Sequence, residues 1–268
     1  MISFGLGMIV GVILALTGAG GGILAVPLLI FGVGLSVAEA GPIGLLAIGM
    51  ASALGAAIGL KVGTVRYKAA LLMAAGGMLL SPLGVWLAHR VDNRWLSILF
   101  AVVLLYVAGR TFRQANDPLN GEEDKHDRPP PCIRDTDSGH FAWTSRCACA
   151  LSFFGSVAGL LSGLLGVGGG FVMVPALQRY TDLAMKSIVA TSLTVIALVS
   201  VSGVAASAVS GHLNWVIALP FAAGALSGML GGRLIASHLA APQLQRGFAV
   251  VAAIVAIGLI ARITQSLL

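Results

Sequence analysis

Two runs of glycine are the residues in this sequence best suited to holding a ligand. Gly18, Gly20, Gly21 and Gly22 are followed by Val26-Pro27, and Gly166, Gly168, Gly169 and Gly170 by Val174-Pro175, so one motif, G-x-G-G-G-x-x-x-V-P, occurs twice. Inside an apolar segment each glycine costs a helix about 1 kcal/mol relative to alanine, and the proline lacks the amide proton that would continue the helix. The expected result is a break, with Pro27 and Pro175 setting its geometry and a new short helix starting near Ile23 and near Phe171. Amide groups freed at a helix N-terminus carry partial positive charge and hold an anion without a cationic side chain. Glycine lets the solute come close to that backbone. A glycine run can also be a tight helix crossing, but two copies at matching positions favour a break that lines a cavity. No lysine follows the glycines and no strand precedes them, which excludes a nucleotide-binding P-loop.

Hydroxyl groups could complete such a site. Thr191 and Thr194 share one helical face with Ser192 beside them, and Thr17 adjoins the first glycine cluster. The competing role for each is a bond back to a carbonyl of its own helix. His89, His212 and His238 fall at the ends of apolar spans, where an interfacial position is expected. No Asp, Glu, Lys or Arg lies mid-span, which argues against a pump built on buried carboxylates and leaves a proton or a sodium ion open as coupling ion. No nucleophile–base pair stands out, so no catalytic residue is assigned. Cys132, Cys147 and Cys149 match none of the common zinc spacings; reduced thiols on the cytoplasmic side are expected, with no metal and no cofactor.

The elements that carry these residues are membrane spans. Of 268 residues 57% are hydrophobic and 10% charged, against roughly 25% charged in a soluble domain. Apolar stretches long enough to cross a hydrocarbon core of roughly 30 Å recur at 41–60, 69–88, 95–112, 187–209, 215–236 and 243–263. A soluble protein this small cannot bury six of them. The first 38 residues hold no Lys or Arg, so a removable signal peptide is not expected. The basic balance, with a pI near 9.7, comes without a basic stripe on a soluble face. It points to membrane orientation rather than to nucleic acid.

Displaced by 148 positions, the sequence matches itself. Besides the glycine motifs, Gly63, Gly76 and Gly84 fall on Gly211, Gly224 and Gly232, and Phe100-Ala101-Val102-Val103 falls on Phe248-Ala249-Val250-Val251. Residues 1–113 form one membrane repeat and 147–268 the second. The polar stretch 114–146, with Pro129-Pro130-Pro131, reads as an exposed linker. If the second repeat is inverted, 13 Lys and Arg lie on one side, leaving Arg90, Arg94 and Arg262 opposite. The positive-inside rule prefers that arrangement to equal orientation. Each repeat then holds three full spans plus one Gly-interrupted segment, within 2–34 and 149–179, whose arms are short for a crossing. Whether that segment dips in and returns or makes two short crossings stays open; the parity is odd either way. The expected fold is an all-α polytopic membrane protein of two inverted-topology repeats, in the cell membrane, with a cytoplasmic linker and both termini opposite.

The paired glycine motifs with Val-Pro, the run Ala190-Thr191-Ser192-Leu193, and the spacing of Gly76/Gly84 and Gly224/Gly232 resemble the TauE/SafE sulfite-exporter family of membrane permeases. The resemblance spans the chain apart from the linker. It implies transport of sulfite, sulfonates or related small sulfur-containing anions, with the glycines, Thr17, Thr191 and Ser192 around the substrate. The first half departs from the pattern, with Ile43-Gly44 where the second has Thr191-Ser192. A membrane enzyme or an assembly subunit are the rival classes.

Overall fold

The computed structural model describes residues 2–116, 145–181, 183–236 and 241–265, and within them the chain is helical almost throughout. Ten α-helices occur among the described residues: α1 Ile2–Thr17, α2 Ala25–Val33, α3 Val37–Lys61, α4 Tyr67–Arg90, α5 Asn93–Asn116, α6 Ser145–Leu165, α7 Gly170–Tyr180, α8 Met185–Val209, α9 Trp215–Ala236 and α10 Ala241–Gln265. A 3-10 helix, Gly18–Leu24, joins α1 to α2. Each of the six apolar stretches is one helix, with ends displaced by a few residues. The central part of the linker, with Cys132, lies outside the described residues, as does His238; α5 runs on to Asn116 and α6 begins at Ser145.

Six helices among the described residues are long and apolar enough to cross a membrane: α3, α4, α5, α8, α9 and the Cys147–Leu165 part of α6. The last corrects the expectation of two short arms. The arm before the first glycine cluster is indeed short, 16 residues, but α6 has 21. The register explains the excess. Gly155 of α6 abuts Met73 of α4, so α6 starts ten residues before the contact and α4 only six, which leaves about one turn of α6 overhanging.

Glycine contacts fix the helix directions. Gly7 and Gly11 of α1 meet Phe221 and Ala225 of α9, and Gly224 and Gly228 of α9 meet Phe4 and Met8, so α1 and α9 run parallel. Their repeat counterparts α6 and α4 do the same through Gly155 on Met73, Gly159 on Gly77 and Gly163 on Ser81. These two are the most extensive helix pairs in the molecule, and each joins one half to the other. A missing Cβ at each crossing lets the backbones touch, the usual means of binding helices where lipid removes the hydrophobic driving force. At the centre, α3 and α8 run antiparallel: Gly203 meets Leu45, Gly49 meets Ser200 and Gly55 meets Leu193. α4 runs parallel to α8, with Gly77 against Val199 and the Ser202 hydroxyl donating to the Met78 carbonyl. The equivalent helices α3 and α8 therefore point in opposite directions.

Both interrupted segments fold back on themselves. Gly32 near the end of α2 lies against Leu6 near the start of α1. In the second half the rings of Phe154 in α6 and Tyr180 at the end of α7 are 5.1 Å apart. Each hairpin returns toward the end at which it began. The helix directions gather Lys61, Arg66, Lys68, Arg179 and Lys186 at one end of the bundle and Arg90 and Arg94 at the other. At that second end His89 and His212 stack with ring centroids 3.9 Å apart. Cys149 is free, but Cys147 is disulfide-bonded, so the expectation of reduced thiols does not hold there.

Candidate functional site

The glycine clusters approach from opposite ends and meet at the crossing of α3 and α8. A Cβ on Gly18 would strike Val189, near the start of α8; the equivalent atom on Gly166 would strike Gly41, near the start of α3. From there the two runs converge. A Cβ on Gly22 would lie 3.1 Å from Ile48 and 3.2 Å from the carbonyl oxygen of Val167. One on Gly168 would lie 3.1 Å from the same Ile48 and 2.9 Å from Ile196. Ile48 and Ile196 are themselves equivalent by the 148-residue displacement, so the clusters join beside a matched pair of residues.

The two breaks are built differently. In the first, only Gly18 adopts left-handed backbone, and the chain continues as a 3-10 helix whose C-terminal amide, that of Ala25, donates to the carbonyl of Gly22. The new α-helix starts at Ala25, two residues later than the glycine pattern suggests. A 3-10 ladder satisfies its own N–H groups three residues back, so few amides are left over. The second half breaks fully. Gly166, Gly168 and Gly169 all have φ near +70°, which only glycine adopts without strain. The Gly166 amide still donates to Ser162, and those of Val172 and Met173 donate to Gly169; the amides of Val167 to Phe171 have no backbone acceptor. α7 starts at Gly170, one residue before the expected point. Pro27 sits in the first turn of α2, where a missing N–H costs nothing, and Pro175 interrupts the hydrogen-bond ladder of α7 midway.

The hydroxyl candidates divide sharply. Thr17 donates to the carbonyl of Ile13 and Thr194 to that of Ala190, the back-bonding alternative. Thr191 accepts a hydrogen bond of 3.1 Å from the amide of Arg66, so it ties the loop between α3 and α4 to α8. Ser192 is different: it is fully buried and its oxygen has no partner. Four further serines share that condition, Ser52, Ser81, Ser162 and Ser200, and sequence reasoning passed over all four. An unsatisfied buried hydroxyl costs roughly 1–3 kcal/mol, so five of them in the core call for an acceptor. A signal was available in the repeat: Ser52 and Ser200 are equivalent positions.

Gly20 has room around it, unlike Gly18, Gly21, Gly22, Gly166, Gly168 and Gly169. It is partly exposed, and a Cβ there would meet nothing within 4 Å, whereas a Cβ on Gly169 would drive into the backbone of Ala158 at 2.5 Å. Donors without cations, glycine backbone at the bundle's centre, and open space beside it can bind and release a small anion; nothing in the arrangement resembles a reacting pair.

Comparison with known proteins agrees with a transport role. The chain is 29% identical over 248 residues to the probable membrane transporter protein YunE of Bacillus subtilis, covering 85% of this chain and 84% of that protein. It is 28% identical over its full length to a probable membrane transporter protein of Xylella fastidiosa, covering 97% of that protein. A third relative, the probable membrane transporter protein MJ0441 of Methanocaldococcus jannaschii, is 27% identical over 74% of this chain and 68% of its own. No solved structure matches. The sequence profile described as sulfite exporter TauE/SafE matches residues 3–259, nearly the whole length, and the chain belongs to that family.

Proposed function

We propose that this multi-pass membrane protein is a permease for small sulfur-containing anions, sulfite or sulfonates, bound where the two glycine clusters meet. The observation that carries the reading is the convergence of two broken segments from opposite ends on Ile48 and Ile196. Irregular backbone at membrane depth persists only where protein buries it or a cavity needs it. Antiparallel equivalent helices support two inverted repeats, 1–113 and 147–268, the architecture in which such sites recur in secondary transporters. The donors at the site are amides and hydroxyls, which suits an anion. The family's description as sulfite exporters supports the same class of substrate.

The test is uptake of radiolabelled sulfite, sulfate and methanesulfonate into proteoliposomes, with and without proton or sodium gradients. Saturable flux of a sulfur oxyanion is expected, and Gly20→Leu should lower it at least tenfold while elution profile and thermal stability stay unchanged, because the new side chain enters open space. No flux of any of the three by folded protein would remove the substrate class. Normal flux in Gly20→Leu would remove the site.

A further inference from the structure

The two halves differ chemically at matched positions beside the glycine clusters. In the first half's frame Leu14 of α1, Ala51 of α3 and Met229 of α9 form a small apolar cluster of their own. The positions 148 residues away from these are Ser162 of α6, Val199 of α8 and, in the other direction, Ser81 of α4. The local geometry is preserved while the chemistry changes. A Cβ on Gly55 would lie 3.0 Å from the Met229 methyl and 2.9 Å from Leu193. One on its counterpart Gly203 would lie 2.7 Å from the Ser81 hydroxyl and 2.5 Å from Leu45.

Ser81 and Ser162 are both 0% exposed, and neither hydroxyl has a partner. A helical serine can turn its hydroxyl onto the carbonyl one turn back, as Ser97, Ser207 and Ser210 do here; Ser81 and Ser162 do not. The backbone differs too: three glycines of this side, Gly166, Gly168 and Gly169, are left-handed and the amides of Val167 to Phe171 have no backbone acceptor, whereas the first half has one left-handed glycine, Gly18, followed by a 3-10 helix. The parts are neighbours. Ser162 stands one turn before Gly166, Gly163 beside it abuts the Ser81 backbone, and Ala158, one turn earlier on the Ser162 face, touches Gly169.

We propose that the anion site is one-sided: the hydroxyls of Ser81 and Ser162 with the amides of Val167 to Phe171 form a donor-only oxyanion subsite selective for monoanions, and the Leu14–Ala51–Met229 cluster is a dry wall rather than a second site. The proposal rests on the permease reading and narrows it. Selectivity follows from the absence of a cation among these groups. The cost of taking an ion out of water rises steeply with its charge, and neutral donors offset that cost for a sulfonate or hydrogensulfite far better than for sulfate.

The experiment compares Ser162→Cys with Leu14→Cys, each challenged with an anionic methanethiosulfonate reagent and read by intact-protein mass against the wild-type adduct count. Ser162→Cys should gain one adduct and Leu14→Cys none. Methanesulfonate should slow the Ser162→Cys reaction at least fivefold and an equal concentration of sulfate less than twofold. Modification of both positions or of neither overturns the one-sided subsite, and equal protection by sulfate overturns the monoanion selectivity. The Ser81→Ala, Ser162→Ala double variant should raise the methanesulfonate concentration that half-inhibits sulfite flux at least fivefold, with Met229→Leu within twofold of wild type. Wild-type flux is scored separately. Flux without differential labelling keeps the permease and sinks the subsite; protected, one-sided labelling without flux keeps the subsite and sinks transport.

Discussion

Thr191 and Ser192 are adjacent, equally buried and chemically alike, yet the structure gives them different work. Thr191 accepts from the Arg66 amide across 125 residues of sequence. Thr191→Val should cost about 1 kcal/mol of stability, seen as a lowered unfolding temperature in detergent, and leave the half-saturating sulfite concentration within twofold of wild type. A tenfold rise would instead put Thr191 in contact with substrate. Ser192→Ala removes an oxygen that has no partner, so stability should hold or improve, and a loss of affinity there would report on the substrate alone. Gly169→Leu is a poor probe of transport: its left-handed backbone and the adjacent Ala158 backbone make misfolding the expected outcome, visible as aggregation on size exclusion. The glycine motif was fully legible in the sequence, because three successive glycines cost a helix too much to persist in an apolar run without a break or a close crossing. Ser81 and Ser162 were not, since a serine in a span reads equally well as packing or back-bonding until its neighbours are known.

At the level of elements the contacts that matter most are the parallel pairs α1 with α9 and α4 with α6. Both depend on backbones touching where side chains are absent, as at Gly159 against Gly77. Overpacking a close contact costs about 1–3 kcal/mol, occasionally more. Gly159→Leu should therefore lower thermal stability strongly. Gly109→Leu in α5, where a Cβ meets nothing within 4 Å, should be silent in the same melting assay. Hydropathy located five of the six helices that are long and apolar enough to cross a membrane among the described residues, since a span needs about 20 residues and few charges; the stretch 243–263 is helical in α10, but its described apolar part, Gly247–Ala261, is shorter. Hydropathy could not tell that the arm before the second glycine cluster is a full-length helix, because length there comes from an overhang set by a partner helix. Nor could it reveal the pairing: the glycines at 76, 84, 224 and 232 announce close packing without naming the partner.

The whole molecule has a strongly basic end and a weakly basic one. Lys61, Arg66, Lys68, Arg179 and Lys186 share the first, and by the positive-inside rule we propose that it faces the cytoplasm. In intact cells an impermeant maleimide should modify Asp92→Cys, in the loop at the opposite end, and should reach Lys68→Cys only after permeabilisation. The reverse pattern would invert the topology. Because both major helix pairs join the halves, residues 1–113 expressed alone should be unstable in detergent, and co-expression with 147–268 should restore a complex that survives purification. Charge and repeat arithmetic point to this arrangement from the sequence, since both act over the full length of the chain. The chemical inequality of the halves was hidden in the same alignment, at the few positions where the copies disagree.

The pairing of α1 with α9 also bears on how the protein is made. α6 emerges from the ribosome after its partner α4 and can dock as soon as it enters the bilayer. α1 is synthesised first, but its partner begins at Trp215, some 200 residues later, and contacts so distant in sequence form slowly. Until then the N-terminal hairpin, with its Gly7 and Gly11 face uncovered, is an orphan in the membrane. Its waiting time, set by the speed of translation, should be the interval in which the nascent chain is most exposed to quality-control proteases. A truncation ending before α9 should be degraded faster than one ending just after it.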